Sequence, residues 1–327
     1  MGFGTFIDAV WQRVGSVELG LAGGTVILAV LGAGYTFLTH DYHDEPRTWR
    51  GFLRFCLPAR IVMAQQTRLD IGYAVVKKLV HFLWTWLFIG NLAFAYLFYR
   101  VLNHHQPPAV GSHHPTALQR AVFLVVGIII YDFLGFFAHY LLHKLPAMWL
   151  FHKVHHSALT LIPVTNRRFH PVQEIWDALW NSAGIGVWIA LYSSAMSVPL
   201  ADVTILGVNA IIFVNCFSFV HLRHSHIYMR YPHWLECVFM SPAQHQIHHS
   251  REERHLDRNF GLFLSCWDQL FGTITYSEPV PAANLGLIDG QENYLSLWQL
   301  FATPFIEFER TYCGRLKRMW PAGLLGP

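Results

Sequence analysis

Charge is scarce in this chain. Asp, Glu, Lys and Arg together make up 13% of its 327 residues against 53% hydrophobic residues, a balance that argues against an ordinary soluble domain. The net charge is small too, +3 with His neutral, and the basic residues are scattered through loops. That distribution fits contact with anionic lipid and gives no footprint for nucleic acid. The five cysteines, Cys56, Cys216, Cys237, Cys266 and Cys313, form no CxxC pair and are odd in number. They therefore suggest neither a disulfide framework nor a thiolate metal site, and they fit a reduced compartment. A glycine-rich dinucleotide loop and a phosphate-binding loop are both missing, so the chain carries no recognisable electron donor of its own.

What is abundant is uncharged sequence. Residues 19–40, 79–99, 121–131, 178–201 and 203–222 contain no Asp, Glu, Lys or Arg. Several of these runs reach the roughly 20 residues that cross a bilayer core. The first follows Asp8 and Glu18 and is long enough to span, so we read it as a retained span and not a cleaved signal, with residues 1–18 as a short interfacial helix. Arg47, Arg50, Arg54, Arg60, Arg68, Lys77 and Lys78 lie between the first two runs, and only Arg100 and Arg120 between the next two. By the positive-inside rule the first loop is cytoplasmic. About five crossings then put the N-terminus outside and the C-terminal part of the chain on the cytoplasmic side. If the third run continues to Leu142, Asp132 sits at membrane depth, either as a partner of the nearby histidines or as a buried hydrogen-bonding group.

Histidine is the other abundance. His139 and His143 are spaced HxxxH, His152, His155 and His156 form HxxHH, and His245, His248 and His249 repeat HxxHH. Residues three and four apart share a helix face, whereas adjacent ones diverge by about 100 degrees, so one cluster can serve two ions. Imidazole suits zinc, copper, iron and nickel, and one ion takes about four to six ligands, so eight clustered histidines imply two ions. The charge bias places all three clusters on the cytoplasmic side. A metal transporter fits poorly, because the histidines gather at one membrane face and the spans lack a chain of ionisable residues.

These features predict an all-α fold: an integral membrane bundle of about five spans carrying a cytoplasmic, histidine-rich, helical di-metal domain. Residues 1–118 read as a membrane scaffold with an interfacial basic segment at 41–78. Residues 119–276 read as the metal domain, including a spanning hairpin at 178–222, and 277–327 as a loop followed by an interfacial helix near 294–311 that Pro304 kinks or restarts. The proline-broken loop at 104–117, with His104, His105, His113 and His114, is expected on the outer surface with no metal role.

Several ordered motifs extend the pattern: YDFLGFFAHYLLHK, WLFHKVHHS, RRFHPVQE, FVHLRHSHI, WLECVFMSPAQHQIHHS and DRNFGLFLSCWDQLFGT. Over roughly residues 120–275 the chain thereby resembles the fatty acid hydroxylase and sterol desaturase superfamily of membrane di-iron oxygenases. The resemblance implies two iron ions, dioxygen as co-substrate, a membrane lipid as substrate and a separate electron donor, whether reductase, ferredoxin or b-type cytochrome. It implies oxidation of a C–H bond, with hydroxylation expected over desaturation and no catalytic residue beyond the ligands. The eight clustered histidines would be ligands and a ninth would come from the segment after the hairpin, with His224 favoured and His221 as the alternative, while His226 stands where relatives often have asparagine. His170 is expected to support the ligands from outside, with direct ligation as the alternative and a helix start before Pro171 as the plain structural reading. Glu174 and Asp268 would orient imidazoles, or else cap a helix or pair with a base, and Asn259 belongs to the same supporting set. Arg167 and Arg168 would hold an anionic headgroup or stay solvated. The competing reading keeps the fold and substitutes zinc, as a membrane hydrolase or a metal-binding scaffold without redox turnover.

Overall fold

The computed structural model describes residues 2–40, 43–79, 93–104, 115–279, 281, 284–288 and 294–313. Its elements are helices α1 (Phe3–Thr39), α2 (Trp49–Cys56), α3 (Ala59–Val62), α4 (Gln65–Leu79), α5 (Ala93–Leu102), α6 (Ala117–Lys144), α7 (Pro146–His156), α8 (Pro171–Met196), α9 (Leu200–Phe217), α10 (Val220–Arg223), α11 (His233–Glu236), α12 (Pro242–His248), α13 (Cys266–Phe271) and α14 (Leu297–Phe308). Among the described residues there is no strand, only two isolated bridges, Phe239 with Leu264 and Ser250 with Leu285.

The framework is a bundle in which α6 packs on α8 and α9, and α9 on α1. A capping box at Thr116 and Gln119 starts α6, and Leu145 with Pro146 at the first turn of α7 breaks the chain direction just past His143. Close contact between α6 and α8 depends on Gly184, where a Cβ would fall 2.0 Å from a Leu134 methyl. Phe123, Ile185, Ile189, Ala190 and Val203 form the buried centre of this bundle with Ala95 and Tyr99 of α5. A second core joins α1 and α2 to the segment after α10 through Phe37, Phe55, Leu222 and Met229. A third, of Tyr73, Val154, Tyr294 and Leu300, seats α4 and α14 against α7.

The outer surface of the bundle is apolar. Leu118, Val122, Val125 and Ile129 recur at helical spacing on α6 and are all exposed, as are Val26, Ile27, Val30 and Leu31 on α1. Contiguous exposed stripes of this kind are costly in water and stable against lipid. One described helix, α6, combines the length and the apolarity needed to cross a bilayer, while Gly23–Thr39 and Ala93–Leu102 are shorter apolar segments.

Several expected boundaries shift. Residues 1–18 are not a separate interfacial helix, because α1 runs unbroken from Phe3 to Thr39. The hairpin begins at Pro171 and turns at 197–199, where Ser197 takes a left-handed backbone and the Ser193 hydroxyl donates to the Val198 carbonyl. It ends at Phe217, earlier than 222, because Phe219 with φ of 49° redirects the chain into α10. The last helix starts inside the expected 294–311, at Leu297, accommodates Pro304 and passes after Phe308 into a π-helical turn, Glu309–Cys313. The outer loop at 105–114, the stretch 80–92 of the second apolar run, and parts of the loop after 279 lie outside the described residues.

Candidate metal centre

Four helix ends converge on one buried spot. His139 and His143 lie in the last two turns of α6, His152, His155 and His156 at the end of α7, His224 just past α10, and His245, His248 and His249 at the end of α12. Helix C-termini carry partial negative charge, which favours a cation there. The α12 end is fixed by Ser241, which caps the helix with Gln244 and is itself bonded to buried Glu236.

The nine imidazoles form two groups. His139, His143, His152, His156 and His248 make one, and His155, His224, His245 and His249 the other, with ligand-capable atoms within 4.8 Å of one another in each. The divergence of adjacent helical residues divides each HxxHH: His155 and His156 fall in different groups, as do His248 and His249. The groups abut, with the His156 and His249 rings stacked at 4.6 Å.

Hydrogen bonding sets which nitrogen faces inward. The His139 Nδ1–H donates to the Phe260 carbonyl at 3.0 Å and the His248 Nδ1–H to the Arg258 carbonyl at 2.7 Å. His152 Nδ1 lies 3.0 Å from the Gln173 Oε1, and His143 Nδ1 lies 3.2 Å from Asp257 Oδ1. Carbonyl and carboxylate oxygens only accept, so in these neutral rings the proton is on Nδ1 and Nε2 presents a bare lone pair. Yet Nε2 of His139 and Nε2 of His152 are 3.1 Å apart, and Nε2 of His152 and His156 are also 3.1 Å apart. Lone pairs facing each other at that distance repel unless a cation lies between them. The four-histidine group shows the same close spacing, with Nε2 of His224 3.0 Å from those of His155 and His245, while the buried Nδ1 atoms of His155, His224 and His249 have no hydrogen-bond partner. The buried Nε2 of His248 has no hydrogen-bond partner. With metal–nitrogen bonds of about 2.0–2.1 Å, one ion fits each group, and the donor set suits a transition metal.

Burial keeps these rings neutral. It pushes His152, His155, His156, His245, His248 and His249 well below the ordinary histidine value, with neighbouring imidazoles adding to the effect for each; Arg223 is the largest charge acting on His245. His224 is pushed down to about 3 by burial and by Arg223. Neutral imidazole is the form that binds metal.

The remaining expected residues divide sharply. Asp268 and Asp132 hold the loop that carries the accepting carbonyls and touch no imidazole. Asp268 accepts from the amides of Phe260 at 2.9 Å and Gly261 at 2.7 Å, and Asp132 from those of Phe263 and Leu264 and from the Trp267 indole. Asn259, at φ of 58°, clamps the same loop to Gln244 and Thr275. His170 is not beside the centre: its Nδ1 caps α8 by accepting from Val172, which leaves the proton on Nε2 to donate to the Phe301 carbonyl. His221 is likewise outside both groups, with Nε2 3.2 Å from the Thr25 hydroxyl, and His226 bonds to the Phe55 carbonyl. Glu174 pairs with Lys77 and orients no ring.

Arg168 is fully buried, so it cannot hold a headgroup. It pairs with Asp70 at 2.5 Å, donates to Gln66 and Ser157, and its Nε donates to the Val154 carbonyl. That network fastens the end of α7, where His155 and His156 sit. Arg167 is exposed.

Sequence reasoning missed Gln173, Asp257 and Arg223. Arg223, buried, donates to the Gly261 carbonyl at 2.6 Å and stands 3.3 Å from His245 Nδ1. The motif RRFHPVQE contained Gln173, one position before the residue singled out. A cavity of about 260 Å³ reaches from five of the histidines between α6, α8 and α9, and a second of about 300 Å³ meets His143, His156 and His248 from the other side.

Comparison with known proteins places these features in context. Residues 124–273 match the fatty acid hydroxylase family model. An ornithine lipid hydroxylase of Rhizobium tropici is 32% identical over 180 residues, covering 54% of this chain and 49% of that protein. The human alkylglycerol monooxygenase is 26% identical over 53% of this chain and 37% of its own length. A cholesterol 25-hydroxylase-like protein of Danio rerio is 23% identical over 69% of this chain and 87% of its own length. The chain thus spans half or less of the first two relatives. No solved structure matches it.

Proposed function

Since residues 124–273 make this chain a member of the fatty acid hydroxylase superfamily, we propose that it is a membrane di-iron oxygenase that hydroxylates a lipid. The observation that carries the reading is the pairing of two all-imidazole groups, five and four, with no carboxylate among them. Zinc has no redox chemistry, whereas iron in such a setting supports dioxygen chemistry. The relatives with printed activities are hydroxylases and monooxygenases of lipids, which favours oxygen insertion over desaturation.

When bound, the irons would supply an oxidant able to attack an unactivated C–H bond. Overall, substrate, dioxygen, two electrons and two protons give the alcohol and water. The electrons would come from a separate reductase, ferredoxin or b-type cytochrome, since the chain has no nucleotide-binding motif. The protein's own part is positional. Nine neutral rings would hold the two ions, and Gln173, Asp257 and the carbonyls of Arg258 and Phe260 hold four of those rings in one tautomer. The cavity between α6, α8 and α9 opens on His139, His152, His155, His224 and His245 and is the place for substrate. We place the centre on the cytoplasmic side of about five crossings, on the charge bias of the loops and the exposed apolar stripes of α1 and α6.

The test is a comparison of lipid extracts from cells with and without the gene. A gain of one oxygen in one lipid class supports hydroxylation, a loss of two hydrogens would turn the outcome to desaturation, and no change with an active donor system present would reject the reading. Imidazole donors suit zinc as well, so a zinc hydrolase is the second reading; it predicts a hydrolysed lipid and no dioxygen uptake.

A further inference from the structure

The wall of the substrate cavity is mostly apolar but carries groups that a hydrocarbon chain could not satisfy. Besides the histidines, three different helices contribute hydrogen-bonding side chains to it: Tyr131 from α6, Asp177 and Asn181 from α8, and Asn215 from α9. Asp177 and Asn181 are four apart and share one face of α8. Groups of this type in the middle of apolar helices are expensive unless they are satisfied or used.

Some of them are satisfied within the protein. Tyr131 hydrogen-bonds to Asn215. Gln173 bridges the centre to this wall, with Oε1 on His152 and Nε2 donating to Asp177 Oδ2 at 3.4 Å. Asn181 uses its amide hydrogen on the Asp177 carbonyl at 2.8 Å, but its Oδ1 is buried without a hydrogen-bond partner. The unmet capacity at this wall is thus acceptor capacity, an amide oxygen beside a carboxyl group. A purely hydrocarbon occupant would leave it unmet.

We propose that the cavity selects a lipid bearing a hydrogen-bond donor, a hydroxyl or an amide N–H, close to the carbon presented to the histidines, with Asn181 and Asp177 as the groups that receive it. This rests on the reading that the cavity takes a membrane lipid. Gln173, bonded to His152, and Asn181 are eight residues apart on α8, about 12 Å at 1.5 Å per residue, so donor and target carbon are separated by roughly that span. The chemistry is oxidation near a polar linkage or headgroup, and the middle of a long saturated chain is disfavoured.

The test uses two probes of one length, hexadecane-1,2-diol and 1,2-dimethoxyhexadecane, the second keeping the oxygens without the donors. Each is equilibrated with the full-length protein in phosphatidylcholine nanodiscs, and retention is read as the excess over empty discs. An acceptor left unpaired costs enough that the diol should be retained about tenfold more strongly. Asn181→Ala should narrow that ratio at least threefold, and Asn181→Asp, which keeps an acceptor, should preserve it. Equal retention of the two probes by the native protein overturns the proposal, whatever the variants do, and so does an unchanged ratio in a folded Asn181→Ala. Binding is read without turnover, so a protein that discriminates between the probes yet oxidises no lipid would overturn the oxygenase reading and leave this one standing.

Discussion

An imidazole becomes a ligand when something else holds its second nitrogen, and at this centre those holders are easy to remove one at a time. Gln173→Leu takes away the acceptor for His152 Nδ1 while leaving the ring in place. Loss of such a support typically weakens metal binding about 10- to 100-fold, and a chelator titration of the purified variant should show a shift of that size. Histidine substitutions act more severely. His155→Ala and His248→Ala each remove one member of a different group, and we expect activity lost beyond detection with membrane insertion intact, since insertion depends on the apolar runs. Arg168 serves as a contrast. A residue binding headgroups would lower substrate affinity without touching stability, whereas Arg168→Ala strands the buried Asp70 carboxylate, a loss of about 3–5 kcal/mol for broken buried pairs. Thermal denaturation should therefore show the defect before any assay does. Eight of the nine rings were legible from spacing alone, and His224 only through the family motif. The carbonyls of Phe260 and Arg258 were not legible, because any residue type offers a carbonyl and only the fold decides where it lies. Nor does an arginine's letter reveal that it is fully buried.

Between residues and the whole molecule, the helix ends matter most. Each metal-facing ring sits in the last two turns of its helix or just past it, so small shifts of α6, α7 or α12 along their axes would separate the two groups. Gly184 permits the close α6–α8 contact, and Gly184→Val forces Leu134 away. Overpacking of this kind costs about 1–3 kcal/mol, and we expect a lowered thermal midpoint together with reduced metal occupancy, since α6 carries two of the rings. The helices themselves were readable from uncharged runs and from the helix-start signal at His170-Pro171. Their limits were not, because charge scarcity marks where lipid is tolerated and says nothing of where hydrogen bonding stops. The left-handed residues Ser197 and Phe219, which end α8 and redirect the chain after α9, are not glycines and carry no turn signal.

Taken whole, the molecule couples a bundle with an apolar outer surface to a buried site of neutral histidines, and that site responds to pH in a defined direction. Rings held below their ordinary value bind fewer protons in the folded chain than in the unfolded one. Stability of the metal-free protein therefore rises with pH through the window just below 6.5, the ordinary histidine value, and falls as pH is lowered through it. Thermal midpoints of chelator-treated protein should drop between pH 7 and pH 5; a midpoint that rose on acidification would show that the rings are not neutral. The topology is read from loop charge, and that pattern speaks to orientation but not to which lipid enters. The central claim, that two histidine groups hold iron for dioxygen chemistry, is tested most directly by metal analysis of protein purified without chelators, coupled to dioxygen uptake with a reductant system. Two irons per chain and uptake that depends on them are the expected result. Zinc at full occupancy, with no uptake under any donor, would contradict it.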